Sequence, residues 1–546
     1  MRLVERRVGL LFAVFLCLLG VIALRSFWLA TVQAGSLKER AATQQVEDLT
    51  VAAHRGTITD RHGVELAVSE DAVTVFANPM LIKRPQAVAA KLAPLVDRPE
   101  DELLEKLSDR ATGFVYLARK LEANKGEEVK RLHIEGIDTV TEPKRTYPQG
   151  ALASQLIGAV GTDNWGLSGL EQSQESVLHG SDGKRRLVKD ALGEPISLIE
   201  EKRAEPGKDI KLTIDAAIQE RVEAVLAEVG TTFQPRGATA LVMDPRSGAM
   251  LAMANWPRVD PTEIGDAPAY ARQNRAVAAS YEPGSTFKAF TVSGAMEQKL
   301  IEPETEMSLP PEIQVADRTI GEAHDRGGIT LTVADILAQS SNVGSVMIGL
   351  KLGAEKFDHW VRRFGFGSST GIDLPGEQAG IVPHPKDYSG SSMGNLPIGQ
   401  GLSVTPVQMA MAYSAIADHG RMHRPYVIAG NRRPPKQVLA RETADSVSKM
   451  LEGVLAVGGT AQEAQVDGYQ LAGKTGTAEK PDELGGYSKT KFVASFIGYA
   501  PARNPRLLVA VMVDEPRGQI YGGVVAAPAF ERIVEFALPY LRIPPR

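Results

Sequence analysis

An uncharged apolar segment close to the N-terminus constrains this chain more than any other feature. Residues 8–24 contain no charged side chain, and an aromatic edge follows at residues 27–29. Together they are long enough to cross a lipid bilayer as a helix. Three arginines precede the segment, and positive charges mark the cytoplasmic side of a membrane helix. We therefore predict a cytoplasmic tail at residues 1–7 and a transmembrane anchor helix at residues 8–30, with the remainder of the chain outside the cytoplasm.

Two other interpretations of this segment stay open. It could be a cleaved signal peptide, with Val32-Gln33-Ala34 as a loose small-residue cleavage site. It could also be a buried core helix, although such a helix rarely starts so close to the terminus behind three arginines. The apolar run exceeds the usual core of a signal peptide, and no later stretch is long and apolar enough to span a bilayer. The single-pass anchor is therefore the favoured interpretation.

Length, charge and cysteine content exclude several classes of protein. A chain of 546 residues is too long for one compact core and fits two or three domains. The net charge of -5 argues against a nucleic-acid binder. Cys17 is the single cysteine, so neither an intramolecular disulfide nor a cysteine-ligated metal site can form. The nine histidines show no His-Glu-x-x-His pattern. We predict no metal and no other cofactor, with carboxylate-bound metals left open.

The extracytoplasmic part divides into two predicted domains. Residues 36–205 mix many charges with short alternating runs, and Pro206-Gly207 marks a linker. Residues 210–546 form the second domain, an α+β arrangement in which terminal strands surround a mostly helical middle at residues 287–455. Predicted strands cover residues 210–214, 238–243, 249–254, 470–478, 492–500 and 507–513. A helix capped by Asp215 is predicted to stop at Gly230, and a last helix covers residues 526–540.

A Ser-x-x-Lys motif at Ser285-Thr286-Phe287-Lys288 suggests nucleophilic catalysis. Residues i and i+3 share one face of a helix, so the lysine amine can reach the serine hydroxyl and act as its base. The motif is weak alone, because the chain holds three further matches. We interpret Ser181…Lys184 as a turn, Ser446…Lys449 as the polar side of an amphipathic helix, and Ser488…Lys491 as a loop.

The setting of Ser285 distinguishes it from the other three serines. Pro283-Gly284 breaks the chain before it, and residues 286–298 are predicted to be helical, so Ser285 lies at a helix N-terminus that favours negative charge. Ser340-Ser341-Asn342 supplies a Ser-x-N motif, and Lys474-Thr475-Gly476-Thr477 follows on a predicted strand. Ser181 also precedes both motifs but lies in the first domain. The ordered triple within one domain has a low probability of arising by chance.

With these motifs the sequence resembles the class B penicillin-binding proteins, the monofunctional D,D-transpeptidases of bacterial cell-wall synthesis. The resemblance extends over nearly the whole chain. Further similar motifs are residues 55–63 (RGTITDRHG), 145–148 (RTYP) and 166–171 (GLSGLE) in the first domain, and 274–276 (NRA), 399–406 (GQGLSVTP) and 521–523 (YGG) in the second. The resemblance implies a penicilloyl-serine transferase domain, with an antiparallel five-stranded sheet and a helical insertion, after an elongated mixed pedestal domain of the dimerisation type.

The resemblance also implies a set of site residues. Ser285 would attack the carbonyl between two terminal D-alanines, and Lys288 would accept its proton; β-lactams would acylate the same serine. Ser340 would relay a proton to the leaving amine, and Asn342 would orient the substrate. Lys474 would supply positive charge, and the implied substrate-binding residues are Thr475, Gly476 and Thr477. The backbone N–H groups of Ser285 and Thr477 would form the oxyanion hole. Burial and Lys474 should both depress the pKa of Lys288.

The resemblance further implies a cellular context. Residues 492–498 (FVASFIG) and 521–528 (YGGVVAAP) are similar to division-type, FtsI-like members. The implied partners are peptidoglycan stem peptides, β-lactams, divisome proteins and a SEDS-type glycosyltransferase of the FtsW or RodA type. The catalytic domain would be periplasmic or otherwise extracytoplasmic, on a single-pass protein of the inner or plasma membrane. Alternatives are an elongation-type transpeptidase, a membrane-anchored β-lactam sensor, a D,D-carboxypeptidase and a β-lactamase.

Overall fold

A computed structural model describes residues 2–33, 46–189, 195–324, 326–482 and 485–545. The chain forms two compact units. The first comprises residues 1–54, 71–143 and 180–207, and the second comprises residues 55–70, 144–179 and 208–546. Two segments that the sequence analysis assigns to the pedestal domain, residues 55–70 and 144–179, therefore pack within the second unit. The domain boundaries drawn from the sequence stay a prediction.

The N-terminal apolar segment is one continuous helix, α1 (Arg2–Thr31). Its part from Arg7 to Thr31 contains an 18-residue window with a mean hydropathy of 2.6, and in the described part of the chain it alone is long and apolar enough to cross a membrane. Its apolar side chains are exposed, for example Leu11 at 68% and Leu24 at 72%. A core helix would bury such side chains, so the structure disfavours the core-helix alternative and retains the membrane anchor.

The first unit has its own small apolar core. Besides α1 it contains α2 (Pro85–Val96), α3 (Glu100–Ser108), α4 (Ala123–Arg131), a 3₁₀ turn (Pro79–Leu81), β1 (Val46–Val51), β4 (Val115–Leu121), β6 (Gly183–Lys189), β7 (Pro195–Lys202) and parts of β3 (Glu65–Ala77) and β5 (Ile137–Thr146). Strand β6 pairs with both β1 and β7, and β4 pairs antiparallel with β3. The alternating run at residues 73–76 forms part of β3. Lys184 lies in β6, so the turn predicted at Ser181…Lys184 is wrong beyond Asp182.

The second unit holds the remaining elements. Its helices are α5 (Ser154–Ile157), α6 (Gly169–Ser173), α7 (Glu175–Leu178), α8 (Ala216–Phe233), α9 (Arg275–Ala278), α10 (Lys288–Glu297), α11 (Val333–Ala338), α12 (Asn342–Leu352), α13 (Ala354–Arg363), α14 (Ser392–Asn395), α15 (Pro406–Ala417), α16 (Arg441–Glu452), α17 (Gly522–Val525) and α18 (Ala527–Tyr540). Its strands are β2 (Ile58–Thr59), β8 (Ile210–Lys211), β9 (Gly237–Met243), β10 (Met250–Trp256), β11 (Glu306–Leu309), β12 (Glu312–Val315), β13 (Arg318–Gly321), β14 (Ile329–Thr332), β15 (Arg421–Met422), β16 (Lys436–Gln437), β17 (Ala472–Pro481), β18 (Tyr487–Ala500) and β19 (Leu507–Asp514). Three 3₁₀ turns cover Gly284–Phe287, Pro385–Asp387 and Leu396–Ile398.

A five-stranded antiparallel sheet organises this unit, in the order β10-β9-β19-β18-β17. Every residue of β9 and β19 is buried, because helices cover both faces of the sheet. Helices α8 and α18 pack together on the sheet, and α15 also contacts it. This arrangement confirms the predicted five-stranded sheet and the α+β class. It also places β17 at the edge of the sheet, where β18 is its one partner strand in the sheet and its other side faces the rest of the unit.

Several local predictions are wrong in detail. The strand predicted at residues 210–214 covers only Ile210–Lys211, and the middle of the domain contains the pairs β11–β14 and β12–β13 in addition to helices. Ser488 lies at the start of strand β18 and is buried, not in a loop. Helix α8, capped by Asp215 as predicted, continues past Gly230 to Phe233. A Cβ atom at Gly230 would lie 2.3 Å from the Trp256 ring, so this glycine permits close packing and does not end the helix.

Candidate active site

Ser285 lies in the 3₁₀ turn Gly284–Phe287, directly before α10. The sequence predicts an α-helix from residue 286; the structure instead tightens this first turn before the α-helix begins at Lys288. Gly284 has a φ of +54°, and a Cβ atom there would lie 3.1 Å from the carbonyl oxygen of Thr477. A side chain at this position would be both strained and crowded. The glycine therefore lets the turn that carries Ser285 pack directly against strand β17.

Lys288 connects the first motif to the second. Its side chain is fully buried, and its Nζ donates to the carbonyl oxygen of Ser340 at 2.7 Å and to Oδ1 of Asn342 at 2.7 Å. A weaker hydrogen bond of 3.3 Å reaches the Ser340 hydroxyl. Nζ makes these three bonds and, in the described part of the chain, none to the hydroxyl of Ser285. The Ser-x-x-Lys and Ser-x-N motifs are thus joined through one amine.

The environment of Lys288 shifts its protonation equilibrium toward the neutral form. Burial lowers the pKa of Lys288 to about 7, the charge of Glu322 opposes this shift, and the charge of Arg326 adds to it. The sequence predicts that Lys474 acts on Lys288 as a second cation, and the structure adds Arg326, whose charge acts in the same direction. The two buried lysines also repel each other: burial, and then the charge of Lys288, hold the pKa of Lys474 well below its ordinary range.

The Ser-x-N motif is held at the start of helix α12. Ser340 has a φ of +60°, a left-handed conformation that costs a non-glycine residue roughly 1–3 kcal/mol. Ser341 caps the helix by accepting from the Gly344 N–H at 2.9 Å. The Glu322 carboxylate accepts from the Asn342 N–H at 2.8 Å and from the Ser341 hydroxyl. These contacts keep the strained Ser340 in place. Glu322 is not among the residues expected from the sequence, because no local pattern identifies it.

The Lys-Thr-Gly motif lies on the edge strand β17. Lys474 is fully buried, and its Nζ donates to the carbonyl oxygen of Thr475 at 3.2 Å. At Gly476, a Cβ atom would lie 2.4 Å from the Ser495 hydroxyl and 2.9 Å from a methyl group of Thr286. Glycine is therefore required here for the approach of the Ser285 turn.

These residues surround one cleft of about 880 Å³. Five of the eight predicted site residues line it: Ser285, Ser340, Asn342, Thr475 and Thr477. Lys288 and Lys474 lie buried behind this lining, and Gly476 serves the packing of the cleft wall. The cleft is also lined by residues that the sequence analysis did not assign to the site, among them Arg318, Arg326, Gln400, Thr460 and Glu479. A nucleophile at a helix start, a buried amine with a lowered pKa and a ring of polar groups are the parts that acyl transfer needs.

Comparison with known proteins agrees with this geometry. Residues 238–535 match the penicillin binding protein transpeptidase domain, and residues 50–212 match the penicillin-binding protein dimerisation domain. The chain is 34% identical to stage V sporulation protein D of Bacillus subtilis, over 97% of this chain and 86% of that protein. It is 30% identical to the peptidoglycan D,D-transpeptidase FtsI of Escherichia coli, over 99% of this chain and 92% of that protein.

Solved structures give the same result. The crystal structure of penicillin binding protein 3 from Mycobacterium tuberculosis, complexed with aztreonam, is 30% identical and has a TM-score of 0.71, covering 91% of this chain and 98% of that one. Its complex with ampicillin has a TM-score of 0.70 at the same identity. The three ordered motifs, the five-stranded sheet that carries them and the two family domains, matched over nearly the whole chain, show that the chain belongs to the class B penicillin-binding protein transpeptidases.

Proposed function

We propose that this protein is a peptidoglycan D,D-transpeptidase that cross-links stem peptides through an acyl-enzyme on Ser285. The observation that carries the proposal is the hydrogen-bonded link between motifs: Lys288 donates to Ser340 and Asn342 behind a cleft that Ser285, Thr475 and Thr477 line. The names of the relatives support the same reaction, because FtsI of E. coli and PenA of Neisseria meningitidis are described as peptidoglycan D,D-transpeptidases.

The acylation step uses the residues of the first two motifs. Neutral Lys288 accepts the hydroxyl proton of Ser285 as its oxygen attacks the carbonyl carbon between two terminal D-alanines. The backbone N–H groups of Ser285 and Thr477 stabilise the negative charge on the carbonyl oxygen; the close approach of Gly284 to Thr477 supports this pairing. The C–N bond then breaks, and Ser340 passes the proton from Lys288 to the leaving nitrogen. D-Alanine departs, and Ser285 carries the acyl group.

The second step transfers the acyl group to an amine. The amine of a neighbouring stem peptide attacks the ester of Ser285, and its proton returns through Ser340 and Lys288 to the serine oxygen. Asn342 orients the substrate amide, while Thr475 and Thr477 hold the terminal carboxylate of the donor peptide and Lys474 supplies positive charge from behind them. Gly476 keeps the strand close to the Ser285 turn. A β-lactam presents a reactive amide and a carboxylate to the same groups, so it acylates Ser285 in place of the peptide.

Turnover distinguishes this proposal from the alternative enzymes and from a sensor. The full-length protein is incubated in detergent with glycan strands that carry stem peptides ending in D-Ala-D-Ala, and the products are analysed by mass spectrometry. We expect released D-alanine together with cross-linked stem dimers, both lost after treatment with penicillin. Release of D-alanine without dimers would indicate a carboxypeptidase. Stable acylation without either product would indicate a sensor, and rapid hydrolysis of penicillin would indicate a β-lactamase. Each of these results would contradict the proposal.

The role in septal cell-wall synthesis is also part of the proposal. Similarity to FtsI and to a sporulation protein supports a division-type function over an elongation-type one. A SEDS-type glycosyltransferase of the FtsW or RodA type and divisome proteins are the proposed partners, because a transpeptidase needs newly polymerised glycan strands as its substrate. The proposed location is the inner or plasma membrane, with the catalytic domain extracytoplasmic.

The proposed anchor makes a direct prediction about the mature N-terminus. Helix α1 continues without interruption from Arg2 to Thr31, and three arginines precede its apolar part, so we expect it to stay uncleaved with residues 1–7 in the cytoplasm. N-terminal sequencing of the membrane-extracted protein should return the sequence that starts at residue 1 or 2. A mature chain starting at Gly35 would instead identify a cleaved signal peptide.

A further inference from the structure

A threonine outside the three motifs lies against the Lys-Thr-Gly strand. Thr460 belongs to the loop that follows α16, and its hydroxyl is 2.7 Å from the hydroxyl of Thr475. Thr460 lines the cleft beside Thr475 and Thr477 and is itself exposed, whereas Thr475 is only 7% exposed. A Cβ atom at Gly523 would lie 2.3 Å from the carbonyl oxygen of Thr460. Gly523 lies in α17, so this glycine allows the loop to pack closely against α17, beside the strand that carries Thr475.

The hydrogen bond between the hydroxyls of Thr460 and Thr475 can run in either direction. A hydroxyl donates one hydrogen bond and accepts up to two. If Thr460 donates to Thr475, the proton of Thr475 is free to point into the cleft; if Thr475 donates to Thr460, it offers the cleft no donor. Lys474 approaches the same Thr475 oxygen at 3.4 Å. With this amine as one donor and Thr460 as the other, Thr475 accepts twice and donates into the cleft.

The hydroxyl of Thr477 also accepts a hydrogen bond, and the direction of that bond is fixed. Its hydroxyl oxygen accepts from the backbone N–H of Gly522 at 3.0 Å, so its proton remains available for another acceptor. Thr475 and Thr477 are two residues apart on β17 and lie on one face of the strand. Both line the cleft. Two neighbouring hydroxyls, each supported from behind by a donor, form a site for an anion.

We propose that Thr460 is a positioning residue for the terminal carboxylate of the acyl donor. It donates to Thr475, and Thr475 then donates to the carboxylate, so that the two hydrogen bonds strengthen each other. The ligand class is a carboxylate at the C-terminal end of a peptide or on a β-lactam. This inference rests on the proposed function, since it assumes that Thr475 and Thr477 face the substrate carboxylate.

The test compares two acyl donors in three variants. The first probe is an N-acyl-D-alanyl thioester that ends in a carboxylate. The second, uncharged probe is the same thioester ending in a carboxamide. Thr460→Val keeps the shape and removes the donor, Thr460→Ser keeps the donor, and Val457→Thr makes the reverse change at a 96% exposed position in the same loop. The acylation rate is measured against probe concentration, which separates the dissociation constant from the limiting rate.

We expect Thr460→Val to raise the dissociation constant of the carboxylate probe about tenfold, with the limiting rate unchanged within about twofold. The carboxamide should lose about threefold or less, because hydrogen bonds to a charged acceptor are roughly twice as strong as those to a neutral one. Thr460→Ser should restore binding, and Val457→Thr should match the wild type. Equal losses for both probes, a loss in the limiting rate alone, or no loss at all would overturn the role of Thr460.

Failure of this inference is separable from failure of the proposed function. Each variant is also treated with penicillin, and the site of acylation is mapped. Acylation of Ser285 in the wild type and in Thr460→Val, together with identical dissociation constants, would contradict the inference and leave the transpeptidase proposal standing. A wild-type protein that is not acylated on Ser285 would contradict both.

Discussion

Ser285→Ala is expected to abolish covalent labelling by penicillin, since alanine has no oxygen with which to form the ester. Ser285 is in the cleft, and its turn packs against strand β17. Labelling is measured with a fluorescent penicillin on the full-length protein after denaturing electrophoresis. The expected signal for the variant is indistinguishable from that of wild-type protein blocked with unlabelled penicillin.

The three other Ser-x-x-Lys serines provide matched controls. Ser446 lies on the amphipathic helix α16, Ser488 lies in strand β18, and Ser181 lies in the first unit. None of them lines the cleft. Alanine at each position should therefore leave labelling intact. Labelling that persists in Ser285→Ala, or that disappears in one of the controls while the protein stays folded, would contradict the assignment of the nucleophile.

Lys288→Arg is expected to slow acylation by roughly 10²–10⁴-fold, the range for loss of general-base catalysis. A neutral amine must accept the serine proton, and burial lowers the pKa of Lys288 to about 7. A guanidinium stays protonated at any working pH and cannot take this role. The measurement is the second-order rate constant for acylation by a fluorescent penicillin. The variant should still bind the drug, so the loss should appear in the rate and not in the extent of labelling.

The pH dependence follows from the same pKa. Lys288 is active when neutral, so the wild-type rate constant should be low below pH 7, rise through about pH 7 and level off at higher pH. Lys288→Arg should not show this rise. Lys474→Arg is the matched control: arginine places a permanent cation beside the carboxylate site, where no proton has to be accepted, so this variant should lose less activity. A near-normal rate for Lys288→Arg combined with an inactive Lys474→Arg would mean that the two lysines have the opposite roles.

The sequence predicts the sheet well because its strands are buried on both faces. Continuous apolar runs at β9 and β19 leave few alternatives, and Asp215 is a good N-cap before an apolar helix. The errors arise where tertiary contacts override local signals. Gly230 resembles a helix stop until the Trp256 ring is seen against it, and Ser488 resembles a loop residue until β18 pairs with β17. The four-residue strands of the β12–β13 pair are too short to give a periodic signal.

The candidate site likewise contains residues that the sequence identifies and residues that only the fold brings to it. Short motifs identify Ser285, Lys288, Asn342 and the Lys-Thr-Gly strand, because each needs a fixed local spacing. Glu322 and Thr460 could not be predicted, since their hydrogen bonds join residues 20 and 15 positions apart without a repeated pattern. Arg326 shifts the pKa of Lys288 through space, and neither residue's sequence neighbourhood reveals the pairing. Such contacts become visible only when the separate segments are brought together in the fold.

Peptide mapping after acylation tests the central claim most directly. The full-length protein is treated with a penicillin of known mass, digested with trypsin and analysed by tandem mass spectrometry. Cleavage after Arg275 and Lys288 releases residues 276–288, in which Ser280 and Ser285 are the two serines. We predict one adduct per chain, on this peptide, with fragment ions that place it on Ser285. An adduct on Ser280, on Ser340 in residues 327–351, or on no serine of the second unit would contradict the account.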